Sequence, residues 1–245
     1  MKVFSQLLDI IYPPRCPLCG RLISSREKYR HPRHICDHCV QALIPITHPL
    51  CTVCGVPFPS SSGMDHPCEN CVRRMPWYDF MRAPYLYAGP LMNAIQRFKY
   101  NSETHLAFPL GGLLSAFAKT FLSHPKEFVA VPVPLHKHRF RERGFNQSLL
   151  LAKVVSSDLE TSLDCLSLIR KRDTKSQTGL GGKERRRNVA NAFSLTSGAI
   201  FKGKKVLLVD DVLTTGCTLN ECARTLKKSG ALEVICLALA RTVSY

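Results

Sequence analysis

From Arg82 onward, apolar positions alternate between short continuous runs and one-sided spacings of three and four residues. Continuous runs suit strands buried on both faces, and the i, i+3, i+4 spacing suits amphipathic helices. Strands are expected at 82–88, 127–134, 163–169, 206–209 and 233–240. Helices are expected at 90–98, with Leu91, Ile95 and Phe98 on one face, and at 106–122, 145–156 and about 219–229. Gly111-Gly112 is the weak point of the second helix. Strands separated by helices predict an α/β fold with a parallel sheet, which binds ligands at the carboxyl ends of its strands. Ahead of this region, Phe4, Leu7, Leu8 and Ile11 predict a short helix stopped by Pro13-Pro14. Its polar face carries Asp9 and a single Lys2, so it is expected to pack on the downstream domain instead of a membrane.

Between that helix and Arg82 the pattern is set by cysteine. Of 12 cysteines, eight form four C-x-x-C pairs: Cys16/Cys19, Cys36/Cys39, Cys51/Cys54 and Cys68/Cys71. One such turn can aim two thiolates at a tetrahedral ion, so four turns make two structural zinc sites. Sequential pairing, first with second and third with fourth, is the simplest arrangement; a cross-brace stays open. A ribbon this small buries little core, so metal should supply much of its folding energy. The expected organisation is a helix and cysteine-rich ribbon at 1–75, followed by the α/β domain at 76–245.

Composition narrows the partners. The 245 residues carry a net charge of +16, which favours nucleic acid, phosphorylated ligands or an anionic membrane surface. More than half of it lies in two segments: residues 135–145 hold four basic residues against Glu142, and 170–187 hold eight against Asp173 and Glu184. Both follow predicted strands, so both should border one mouth, the second as a mobile loop or flap. No secretory signal and no membrane-length apolar span are evident, and paired thiols suit a reducing compartment, so a cytoplasmic location is expected.

The stretch 206–218 carries the most specific chemistry. Four apolar residues lead to Asp210-Asp211, after which a turn is expected, and then to Thr214, Thr215, Gly216, Cys217 and Thr218 ahead of a helix. Backbone N–H groups at a helix N-terminus, hydroxyls and a permissive glycine make a phosphate cradle. The two carboxylates suit ribose hydroxyls or Mg²⁺.

Asp-Asp-Val-x-Thr-Thr-Gly-x-Thr after an apolar strand resembles the phosphoribosyl pyrophosphate signature of type I phosphoribosyltransferases. A wider resemblance runs through the zinc knuckles, Tyr87 to Leu91 with Lys99-Tyr100, Val131 to His136, Arg143 to Gln147, Arg170 to Leu180, Arg185 to Val189 and the Asp-Asp signature. Their order is similar to the ComF family of bacterial competence proteins, linked to natural transformation. The resemblance implies a parallel-sheet, type I phosphoribosyltransferase-like domain preceded by a small double zinc ribbon. Its cofactors would be two structural zinc ions, and Mg²⁺ with phosphoribosyl pyrophosphate. By the same likeness Asp210 and Asp211 form the catalytic pair. Leu135, His136, Lys137, Arg143 and Lys99 join residues 214–218 around phosphoribosyl pyrophosphate, and Arg170, Arg172, Gln177 and Arg185 belong to the flexible loop. Where amidophosphoribosyltransferases have Asp-Ser after Val-Pro-Val-Pro, this chain has Leu135-His136, so their activity does not carry over.

Two functions compete. One is phosphoribosyl transfer to an unidentified acceptor, for which no residue presents itself as a base. The other is a non-catalytic competence factor that binds single-stranded DNA, works with the DNA-uptake machinery and uses the pocket to sense phosphoribosyl pyrophosphate or a nucleotide.

Overall fold

The computed structural model describes residues 13–23, 34–60, 62–173 and 182–243, apart from the side chains of Lys183 and Arg185. In chain order its elements are α1 (Asp37–Gln41), α2 (Glu69–Arg73), β1 (Phe80–Arg82), β2 (Tyr85–Leu86), α3 (Gly89–Tyr100), α4 (Ala107–Ala118), β3 (Phe128–Pro132), α5 (Lys137–Arg143), α6 (Gln147–Leu159), β4 (Ser162–Leu163), β5 (Leu168–Arg170), α7 (Gly182–Val189), β6 (Phe193–Leu195), β7 (Lys205–Leu213), α8 (Cys217–Lys228) and β8 (Glu233–Arg241). The main sheet is parallel in the order β1-β8-β7-β3-β4, with β2 also on β8.

The two longest apolar runs sit at its centre, because only a strand covered on both faces can bury every side chain. Leu207, Val209, Ile235 and Leu237 face one layer with Leu91, Ile95 and Phe98 of α3, Leu110 and Leu114 of α4, and Leu151 and Val155 of α6. Val206, Leu208, Val234 and Cys236 face the other, with Leu219, Cys222 and Leu226 of α8. Each such aliphatic side chain contributes about 1.5–3 kcal/mol when fully buried. The two cysteine clusters divide between these layers: Cys16, Cys36 and Cys39 join the first, and Cys51, Cys54 and Cys71 the second. Gly111 has a packing reason, since a Cβ there would lie 2.6 Å from Val154 Cβ, so glycine lets α4 and α6 approach.

Several expectations are corrected. The predicted strand 82–88 is two short strands, interrupted at Pro84, which has no N–H for a ladder. The predicted strand 163–169 is divided between two sheets. Asp164 Oδ1 accepts from Leu166 and Ser167 N–H, turning the chain out of the main sheet, and β5 then pairs antiparallel with β6. No turn follows Val209, because Asp210 and Val212 remain paired with Ala238 and Ala240. The basic segment 135–145 is largely the helix α5, started by His136 Nδ1 accepting from His138 N–H and ended by Gly144 in the left-handed region at φ 81°. Of the expected flap, Arg170 ends strand β5 and residues 182–187 lie on helix α7, whose Val189 is buried. The predicted helix at residues 4–11 and Gln177 lie outside the described residues.

Candidate functional site

The cysteines fall into two tetrads, Cys16/Cys19/Cys36/Cys39 and Cys51/Cys54/Cys68/Cys71, each with its sulfurs within 4.8 Å of one another. This is the sequential arrangement. Cys19 and Cys36 Sγ are 3.8 Å apart, as are Cys54 and Cys68 Sγ. Thiolates about 2.3 Å from a tetrahedral zinc ion are about 3.8 Å apart, so both tetrads fit zinc. The short helices α1 and α2 deliver the second pair of each tetrad, with Cys36 and Cys68 as N-caps. Burial opposes ionisation of Cys16, but N–H groups of Cys36, Cys19 and Leu18 outweigh it and bring the thiol down to about 7. Cys51 is likewise brought to about 7 by Cys54, Cys68 and Val53 N–H groups. Both ribbons are anchored to the sheet domain. Arg97 Nη1 donates to Pro17 and Leu18 carbonyls, and the buried Arg241 donates to Cys54 O at 2.6 Å.

At the carboxyl end of β7 the two carboxylates have different surroundings. Asp211 is buried and pairs with Lys99 Nζ of α3 at 2.9 Å; its Oδ1 accepts from Val212 N–H. Burial alone would lower the Lys99 pKa, yet Asp211 and then Asp210 outweigh it and hold the ammonium charged. Asp210 Oδ1 accepts from Ser148 Oγ at 2.8 Å and from Asp211 N–H at 2.9 Å. Burial first and the neighbouring Asp211 second push its carboxyl up to about 7. Thr214 and Thr215 then lead to Gly216, the N-cap of α8 at φ 72°, where a Cβ would lie 2.9 Å from Met81 Cε. No side chain caps α8. Thr215 Oγ1 donates to Cys217 Sγ at 3.1 Å.

The segment after β3 is fastened to the same place. Asn146 Nδ2 donates to Val133 O, while Asn146 Oδ1 caps α6 by accepting from Ser148 and Leu149 N–H. Arg143 Nη1 donates to Gln147 Oε1 and its guanidinium lies 5.5 Å from the Tyr100 ring centre. Leu135 and the buried His136 lead into α5, where Lys137 is exposed. Arg170 lies over Phe193 and feels the charges of Asp173 and Asp210. The Arg172 guanidinium is taken up by Asn188 and Ala190 carbonyls at the end of α7. Arg185 lies on α7, its side chain outside the description.

Sequence reasoning missed Ser148 and Asp173. Ser148 could have been suspected, because Asn146 is a strong N-cap and places Ser148 in the first turn of a helix beside the mouth. Asp173 carried no signal beyond its place among basic residues.

Comparison with known proteins agrees with this geometry. The Double zinc ribbon domain matches residues 7–75 and the Phosphoribosyl transferase domain matches residues 146–244. The protein is therefore of the class that joins a double zinc ribbon to a phosphoribosyltransferase-like α/β domain. Competence protein F of Haemophilus influenzae is 35% identical over 84% of this chain and 96% of its own. DNA utilization protein YhgH of Escherichia coli (strain K12) is 35% identical over 79% and 85%, respectively. Competence protein ComFC of Bacillus subtilis (strain 168) is 30% identical over 93% and 95%. The chain belongs to the ComF family. No helix among the described residues is long and apolar enough to cross a membrane.

Proposed function

We propose that this protein binds phosphoribosyl pyrophosphate with Mg²⁺ at the carboxyl ends of β3 and β7, in the service of DNA uptake. The observation that carries the reading is the division of labour in Asp210-Asp211 directly ahead of the Thr214 to Thr218 loop. Asp211 is committed to Lys99, whereas Asp210, partly exposed and crowded, gains from a nearby cation. A hard divalent cation suits such a carboxylate, so Mg²⁺ fits there, and when bound it would offset the charge of a leaving pyrophosphate. In this reading Asp210 addresses ribose and Mg²⁺, and Asp211 with Lys99 holds the strand end rigid. Residues 214–218 and the first turn of α8 receive the 5′-phosphate. Lys137, Arg143 and Arg170 offer positive charge to the pyrophosphate. In this reading the boundary near residue 75 separates the zinc ribbon from the domain that binds the ligand. The link to DNA uptake rests on the names of the relatives.

Calorimetric titration of phosphoribosyl pyrophosphate with Mg²⁺ tests the assignment. Binding should be lost in Asp210→Asn while the fold is kept; equal affinity in that variant would remove the site from β7. A screen of bases and amines for pyrophosphate release then separates transferase from sensor. The second reading, a single-stranded-DNA-binding factor that senses the ligand without turnover, is favoured by the exposed Lys137, Arg141 and Phe140 of α5. It predicts DNA affinity that falls steeply with salt, and no pyrophosphate release.

A further inference from the structure

A second group of metal-type ligands stands apart from the thiolates. His136, the residue before α5, and His138, on its first turn, both aim Nδ1 at Asp173, which follows β5. The distances are 3.3 Å from His136 Nδ1 to Asp173 Oδ1 and 2.9 Å from His138 Nδ1 to Oδ2. All three ligand atoms lie within 4.8 Å of one another. His136 is 5% exposed, which leaves its imidazole little room to turn elsewhere. Its Nδ1 lies 3.4 Å from His138 N and 3.3 Å from Asp173 Oδ1; both contacts are long, and a carboxylate oxygen can meet that nitrogen only through a proton or a cation. The two rings stand edge to face with centres 4.9 Å apart.

We infer that His136, His138 and Asp173 form a third metal site, distinct from the cysteine tetrads, for a first-row divalent ion that favours imidazole, such as zinc, cobalt or nickel. Ligands about 2.1 Å from a tetrahedral ion lie about 3.4 Å apart, which matches the 3.3 Å between His136 and Asp173 and asks the 2.9 Å His138–Asp173 pair, both exposed, to open by about half an ångström. Two imidazoles and one carboxylate suit these ions better than Mg²⁺, which takes oxygen ligands. His138 and Asp173 are exposed, so water can complete the coordination. The ion would join the segment after β3 to the segment after β5. The inference stands on these three side chains alone and goes beyond the reading given for Asp210.

The test uses the full chain with both tetrads filled by zinc, titrated with Co²⁺. One further equivalent should bind, with visible d–d absorption and without the near-ultraviolet thiolate-to-cobalt band that marks entry into a tetrad. Asp173→Asn and His138→Ala, both at exposed positions, should each weaken it about 100-fold or more, since loss of even an outer-shell partner costs 10–100-fold. His48→Ala, which breaks a surface His48–Asp65 pair with no third ligand among the described residues, should leave it unchanged. Failure to bind a third equivalent, a cobalt signal confined to thiolate coordination, or undiminished binding in both variants would overturn the site and leave an ordinary His–Asp ion pair.

Discussion

The cysteine tetrads and the carboxylate pair of β7 both crowd groups of like charge, and they manage that crowding in opposite ways. Each tetrad gathers four sulfurs within 4.8 Å on turns and short helices that bury little by themselves. Only a cation can hold four thiolates there, so metal binding and folding are one event. Asp210 and Asp211 lie on a central strand of the main sheet, where the fold supplies the countercharge from Lys99 and the hydrogen bond from Ser148. Packing builds that site without an ion, and it leaves Asp210 with a carboxyl raised to about 7. Metal holds each tetrad together; on the proposed reading the β7 pair keeps Asp210 in reserve for its ligand.

The largest expected effect breaks the metal side of this contrast. Cys68→Ser with Cys71→Ser should remove one zinc ion per chain and forfeit about 10 kcal/mol or more of metal-linked folding energy in the second ribbon. Because Cys51, Cys54 and Cys71 share a core with Tyr78, Met81 and β7, the melting temperature of the whole chain should fall. Metal analysis that returns as many ions as the wild type would show that the tetrad is not a ligand set. Next is Lys99→Met, which strands the buried Asp211 without its cation. Loss of one partner of a buried pair costs about 3–5 kcal/mol, and adding Asp211→Asn should restore most of it. Denaturant unfolding of the single and double variants decides this, and additive losses would mean that the two residues do not depend on each other.

The smallest effect has the opposite sign. With its carboxyl raised from 3.8 to about 7 in the folded state, Asp210 binds more protons folded than unfolded between those values. Stability contributed at this position is therefore present at low pH and declines as pH rises from about 4 to about 7. Asp210→Asn removes that slope, so at pH 8 the variant should be more stable than the wild type, by up to about 4 kcal/mol. Melting curves across pH would show it, and a variant less stable at pH 8 would mean that Asp210 is already satisfied in the fold.

The metal ligands were legible in the sequence because the relevant spacing is local: two residues separate the thiols of each turn, and that spacing survives any packing. The order of strands and helices was legible for the same reason, since burial on one or both faces imprints a period on a few consecutive residues. The Asp-Asp-Val-x-Thr-Thr-Gly-x-Thr stretch could be read as a phosphate loop, but not as a strand that continues to Leu213, because that depends on pairing with β8. Lys99 was named as a binding residue on family likeness, and only the docking of α3 against β7 shows that it meets Asp211. Ser148, Asp173 and the division of the ribbons between opposite faces of the sheet were decided by tertiary structure alone. Sequence determines which residues can be neighbours within a turn of helix or a few steps of strand. Contacts between distant segments follow from which strands share a sheet edge and which helices cover it, and that choice is made by the burial of the chain as a whole.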